Sequence, residues 1–429
     1  MNLIKRDLYL KQLINRKENG LIKIITGIRR CGKSYLLFKI FYNYLIELGI
    51  KEDNIITLAL DDDKNREYRN PDKLSDYLYS RITNKNEMFY IFLDEIQFAF
   101  SYKNNDDGYS RVYGILNGLL RLDNVDIYVT GSNSKFLSSD IMTEFRGRGD
   151  EVRVYPLSFS EFYSSNLWND KYEAWNEYTR FGGLPMILTK KTDDEKSNYL
   201  KNLLNKTYIQ DVIERNNLKG NNIIDTLVDI LASSIGSLTN PTKLARTFAS
   251  NNIKTTDVTL ATYIDYLIDA FMINKAQRYD IKGKKYIDSP FKFYFTDIGI
   301  RNCRLNYRQQ EPTHIMENII YNELLIRGYN VDVGIIEHTT RNKEGKQKNI
   351  QQEVDFICNT ADNRYYIQSA FSIPNEEKMI QETLQLDKIG DSFKKIIITQ
   401  DLGKPWRTDK GYLVINILDF LLNPSSLDI

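Results

Sequence analysis

The stretch TGIRRCGKSY, residues 26–35, constrains this chain more than any other feature. Gly27-x-x-x-x-Gly32-Lys33-Ser34 follows an apolar run, LIKIIT. It precedes KSYLLFKIFYNYLIELG, whose apolar residues recur near every 3.6 positions and stop at Gly49. A strand, a glycine loop and a helix in that order form a phosphate-binding loop. Glycines let backbone N–H groups turn inward, and the helix N-terminus adds partial positive charge. Gly27, Arg29, Arg30, Gly32, Lys33, Ser34 and Tyr35 are the candidate nucleotide-binding residues of this loop. Lys33 has the reach for β- and γ-phosphates, and Ser34 supplies a Mg²⁺ ligand, so the expected ligands are ATP and Mg²⁺.

A second signal is independent. MFYIFLDEIQ reads as a buried strand ending in Asp94-Glu95. Two carboxylates at such a tip suit a Walker-B role, with Asp94 in the Mg²⁺ shell and Glu95 activating water. Beyond the next apolar run, VDIYVTGS, Ser132 and Asn133 sit where a γ-phosphate sensor belongs; a helix N-cap is the other reading. Arg146 and Arg148 precede EVRVYPLS, and Arg148 is a candidate for stabilising transition-state charge. Between and after these motifs strands alternate with helices, which predicts a parallel sheet with right-handed crossovers.

At 429 residues, the chain exceeds a single core, and about two to four domains are expected. A formal charge of +1, from 58 basic and 57 acidic residues, gives no global pull toward nucleic acid or anionic membrane. Three scattered cysteines lack metal-ligand spacing and fit a reducing compartment. Two histidines leave little material for a histidine-based metal site or triad. No apolar run reaches the roughly 18–20 residues of a membrane span. The first twenty residues read as an amphipathic helix rather than a secretory signal, and a cytoplasmic location is expected.

ITGIRRCGKSYLL, IFLDEIQ, TGSNSKFL, RGRGDEVRVYPLSFSEF and FGGLP occur in this order. Together they resemble a prokaryotic family of AAA+-related ATPases with a C-terminal domain similar to restriction-type nucleases. The resemblance spans essentially the whole chain. It implies an ATPase core with an extra strand between Walker A and Walker B. It also implies that a neighbour's arginine completes the site in a homo-oligomer.

The expected fold is therefore α/β: a P-loop NTPase parallel sheet over 1–158, a helical lid or linker over 159–222, a winged helix over 223–300 and a C-terminal α/β restriction-endonuclease-like domain over 301–429. Residues 223–300 read as three helices and a basic hairpin. Asn240 caps the second helix, with Pro241 at its first position. DNA contact there would use Thr255, Thr256, Thr259 and Thr262, with Lys282, Lys284 and Lys285 on phosphates; a packing module is the alternative. In the last third, a nuclease-like metal site would draw on Glu317, Asp355 and Gln368. Ala370 stands where that site needs a lysine, and Lys378 is the nearest replacement, so a silent or strongly altered centre is expected. A basic tip at Arg341, Lys343, Lys346 and Lys348 would still hold a phosphate backbone or an acidic protein. The expected function is an ATP-hydrolysing switch acting on a nucleic-acid or protein partner. An ATP-regulated nuclease and a non-hydrolysing nucleotide-binding module are the alternatives.

Overall fold

Five of the apolar runs pair into one parallel sheet in the computed structural model, which describes residues 4–100, 107–132, 147–218, 222–308, 311–341 and 347–429. They are β1 Ile22–Thr26, β2 Ile55–Ala59, β3 Phe89–Asp94, β4 Val125–Thr130 and β5 Gly149–Arg153. Their order is β2-β3-β4-β1-β5, and every neighbouring pair is parallel. β4 thus separates the strand entering the glycine loop from the strand ending in Asp94, as the resemblance implies.

β1, β3 and β4 are buried at every position, which helices on both faces allow. On one face, Phe41 from the helix over residues 33–47 meets the rings of Phe92 and Tyr128 at 5.8 and 4.9 Å. On the other, Ile22, Ile91 and Ile127 pack with Leu74 and Leu78 of the helix Pro71–Arg81 and Leu116 of Asp107–Leu119. Each such side chain, fully buried, contributes about 1.5–3 kcal/mol. Asn70 stops the backbone of Pro71–Arg81 from fraying by accepting the Asp72 N–H.

The chain forms two compact units. The first is residues 1–156 with 269–271, and the second is 157–268 with 272–429. The helices expected as a lid, among them Lys171–Phe181 and Asp193–Leu203, pack in the second unit. Next come Asn222–Ser233, Pro241–Ser250 and Asp257–Asp269, then the hairpin β6 Ile273–Asp280 and β7 Lys285–Phe295. Asn240 does cap the second helix, through Lys243 N at 2.7 Å.

The expected boundary at residue 300 fails because the hairpin has a second partner. β6 pairs in parallel with β8 (Asn330–Arg341). β9 (Gln347–Asn359), β10 (Arg364–Ala370), β11 (Lys394–Thr399), β12 (Trp406–Arg407) and β13 (Leu413–Asn416) complete a sheet ordered β12-β13-β11-β10-β9-β8-β6-β7. A local hairpin signal in sequence does not reveal which edge takes another strand. Among the described residues, no helix is long and apolar enough to cross a membrane.

Candidate active site

The loop after β1 adopts conformations that its glycines make accessible. Gly27 has φ +136°, and a Cβ there would lie 2.1 Å from the Val154 carbonyl oxygen. Gly32 has φ +104° and leads directly into Lys33–Tyr35. Arg30 takes φ +66° and is exposed. Lys33 is buried, its Nζ donating to the carbonyls of Gly27 at 2.9 Å and Ile28 at 3.2 Å. Its ammonium therefore rests on the loop that it would share with phosphates. Arg29 Nε donates to Ser132 Oγ at 3.1 Å, linking the loop to the expected sensor position. Asn133 and Arg146 lie outside the described residues.

The N-terminal helix does more than its amphipathic pattern suggests. Arg6, at the start of Asp7–Arg16, is buried and donates to the carbonyl oxygens of Cys31, within the loop, at 3.2 Å and Tyr155 at 2.6 Å. A guanidinium is thus part of the loop's foundation.

Asp94 and Glu95 are held by one residue that sequence reading misses, Thr130 at the end of β4. Its hydroxyl bonds Asp94 Oδ1, its Oγ1 accepts the Glu95 N–H at 3.0 Å, and its carbonyl accepts the Ile96 N–H at 3.0 Å. Glu95 takes φ +53°, uncommon for a residue with a side chain, and this clamp fixes the turn. Burial pushes the Asp94 carboxyl up, opposed by hydrogen bonds from Thr130 and Ser34. Asp94 and Ser34 therefore adjoin, and their hard oxygens fit a Mg²⁺ ion. Arg148 does not join them. Its backbone carbonyl accepts Ile22 N–H at 2.9 Å, at the opposite end of β1 from the loop. Its side chain is exposed on Asn117 at 3.1 Å. A five-residue strand separates the two ends by about 16 Å.

The second expected site is altered in kind. Glu317, on the helix Pro312–Ile326, does approach Asp355 of β9, but Lys292 of β7 occupies the space between them. Its Nζ lies 2.9 Å from Glu317 Oε1, 2.7 Å from Glu353 Oε1 and 3.9 Å from Asp355 Oδ1. Tyr294 donates its hydroxyl to Glu317 Oε1 at 2.6 Å. Burial and the Glu317 charge push the Asp355 carboxyl well up, whereas the carboxylates outweigh burial and raise Lys292.

Gln368 is not part of this cluster. A bulge in β9 sets three steps, Val354 to Ile357, against two of β8, Asp332 to Gly334. It turns Asp355 and Phe356 toward the Pro312–Ile326 side, where Phe356 meets the rings of Tyr294 and Tyr321. Gln368 instead shares its face with Tyr366, Ala370 and Ile397, in the apolar cluster around Leu386. Its Oε1 has no hydrogen-bond partner among the described residues. Lys378 pairs with Glu382. With an ammonium already among the carboxylates and the third ligand facing away, these residues do not fit a divalent metal. Nor does any other group of three or more His, Cys, Asp or Glu among the described residues.

Residues 19–163 match the family model described as AAA domain, and 172–311 match one described as a domain of unknown function (DUF8612). An uncharacterized protein of Haemophilus influenzae is 33% identical over 424 residues, covering 98% of this chain and 99% of that one. The chain belongs to that protein's family. An uncharacterized protein of Methanocaldococcus jannaschii is 28% identical, covering 96% of this chain and 89% of that one. Among solved structures, AMPPCP-bound DnaA from Aquifex aeolicus shows a slight likeness, at 14% identity and a TM-score of 0.31, covering 60% of this chain and 85% of that one.

The DUF8612 match runs through the expected boundaries at 222 and 300. Two motifs far apart in sequence interlock within it. Asp297 Oδ2 accepts Gly183 N–H at 2.8 Å, and Oδ1 accepts Ile300 N–H at 3.1 Å. A Cβ at Gly182 would lie 2.2 Å from Asp297 Oδ1, and one at Gly299 would lie 2.0 Å from the Phe181 carbonyl oxygen. The glycine pair of FGGLP thus wraps a buried carboxylate. In the third helix of this region, Thr256 and Thr259 bond each other and Thr262 bonds the Val258 carbonyl, so these hydroxyls serve the helix itself. Lys282, Lys284 and Lys285 at the hairpin tip are exposed, next to Tyr286.

Proposed function

We propose that the first unit hydrolyses ATP and that the cycle switches the second unit's hold on a nucleic-acid or protein partner. The supporting observation is the Thr130 clamp, which sets Asp94 and Glu95 together beside the loop of Lys33 and Ser34. Nucleotide binding alone has no use for a second carboxylate fixed at that turn. Ser34 and Asp94 would hold Mg²⁺, which neutralises phosphate charge. Lys33, withdrawn from the loop carbonyls, would meet the β- and γ-phosphates, and Glu95 would take a proton from water. Ser132 would sense the γ-phosphate through its link to Arg29. Cytoplasmic ATP is the fuel in this reading.

The exposed lysines of the hairpin tip, next to an exposed tyrosine, favour nucleic acid as partner. In this reading the nuclease resemblance of residues 301–429 reflects binding rather than cutting, because Ala370 replaces the lysine and the Lys292 ammonium stands among the carboxylates where a metal would go.

Phosphate release and nucleotide affinity test the proposal. Lys33→Ala loses ATP binding. Glu95→Gln keeps binding and loses turnover by about 10²-fold or more. With ATP, Glu95→Gln and Lys33→Ala should differ in affinity for duplex DNA, whose logarithm falls linearly with log[salt]. Equal turnover in Glu95→Gln and wild type refutes hydrolysis through Glu95.

A further inference from the structure

We infer that Gln97 is a positioning residue for ATP hydrolysis, orienting the Glu95 carboxylate toward the attacking water. This rests on the hydrolytic reading above and names a residue which that reading does not use.

Glu95 has two local restraints. Its backbone is pinned by Thr130 and held at φ +53°. Its side chain meets Gln97 two residues on, where the Gln97 Nε2 amide donates to Glu95 Oε2. Gln97 itself is 9% exposed and opens the short helix Gln97–Phe100, preceded by fully buried Ile96 and followed by exposed Phe98 and fully buried Ala99. The turn beneath it is closed by Phe98 N–H to Glu95 O at 3.1 Å and Ala99 N–H to Ile96 O at 2.9 Å. The amide therefore stands on a fixed base.

The chemical consequence follows from the two carboxylate oxygens. An amide N–H held against Oε2 restrains rotation of the carboxylate about its terminal bond. It leaves Oε1 as the oxygen that accepts a proton from water. Glutamine suits this task because it is neutral and long enough to reach back two residues. A carboxylate at position 97 would repel Glu95. Without the donor, Glu95 rotates among orientations, most of them unproductive. Misorientation of this size costs about 10- to 100-fold in rate without touching the phosphates.

The test uses the full chain, with ATP as substrate and a fluorescent ATP analogue to measure affinity. Gln97→Ala should lower kcat about 10- to 100-fold, with KM and analogue affinity within twofold of wild type. Gln97→His, which keeps an N–H donor at similar reach, should recover much of the loss, whereas Gln97→Glu should not. A structural role would instead lower nucleotide affinity together with kcat, or leave Gln97→His as impaired as Gln97→Ala; either result overturns the inference. So does a kcat for Gln97→Ala within twofold of wild type. A wild-type protein that binds ATP and releases no phosphate refutes the hydrolytic reading along with this one. A wild type that hydrolyses while Gln97→Ala keeps pace refutes this one alone.

Discussion

Replacing Asp297 by alanine should loosen the second unit without touching the nucleotide loop. The carboxylate is 3% exposed and accepts the N–H groups of Gly183 and Ile300. Alanine leaves both donors buried and unpaired. Each such donor costs about 1–3 kcal/mol, so the loss should be about 4 kcal/mol, a large share of a typical stability of about 5–15 kcal/mol. Trp168, Trp175 and Trp406 are the chain's three tryptophans and all lie in the second unit, so their fluorescence in urea reports that unit selectively. The midpoint should fall by about 1.3–2 M, for a slope of about 2–3 kcal/mol per M. Asparagine keeps one acceptor and should cost less than alanine. Burial pushes the Asp297 carboxyl up to about 6, opposed by backbone N–H groups. Its folded pKa thus exceeds the unfolded value. The stability it adds is fully present below about pH 4 and is lost as pH rises through about 6. The Asp297→Asn deficit should therefore shrink between those limits. An alanine variant with an unchanged midpoint, or an asparagine deficit that grows with pH, refutes the reasoning.

Lys292→Met should destabilise the second unit by about 3–5 kcal/mol, because it leaves buried carboxylates without a counter-charge. The same fluorescence measurement checks it, and wild type should show no Mn²⁺-dependent plasmid nicking. Arg148→Ala should leave nucleotide affinity unchanged. If Arg148 serves a neighbouring subunit, Arg148→Ala should lower phosphate release, and mixing it with Glu95→Gln should restore it, because one protein supplies the arginine and the other the glutamate; unchanged release by Arg148→Ala leaves Arg148 a surface residue.

The glycine loop and Asp94-Glu95 were legible because each is a local pattern at the end of a periodic element. Strand alternation likewise exposed the first sheet, and the Asn240-Pro241 pair marked a helix start. Thr130 and Lys292 were not legible. Thr130 acts on residues 35 and 36 positions away through β3–β4 pairing. Lys292 meets Glu353 only because β7 and β9 belong to one sheet. Gln368 illustrates a different failure. Spacing puts it beside Asp355, but the bulge in β9 turns the carboxylate to the other face. Arg148 precedes the right strand, yet a parallel strand has two ends, and sequence order alone puts that residue at the wrong one.

The pairing of β6 with β8 also decides how this protein is to be dissected. A fragment beginning at residue 301 follows the apparent sequence boundary, yet it would discard the strand that covers the edge of β8 and the ammonium that stands among Glu317, Glu353 and Asp355. Such a fragment would present an open edge to its own copies, the geometry from which aggregates grow. Its acidic residues would then attract whatever divalent ion the buffer contains. Metal dependence seen in that fragment would belong to the cut rather than to the protein. Fragments that start at residue 157 keep both the strand and the charge, and are the ones to make.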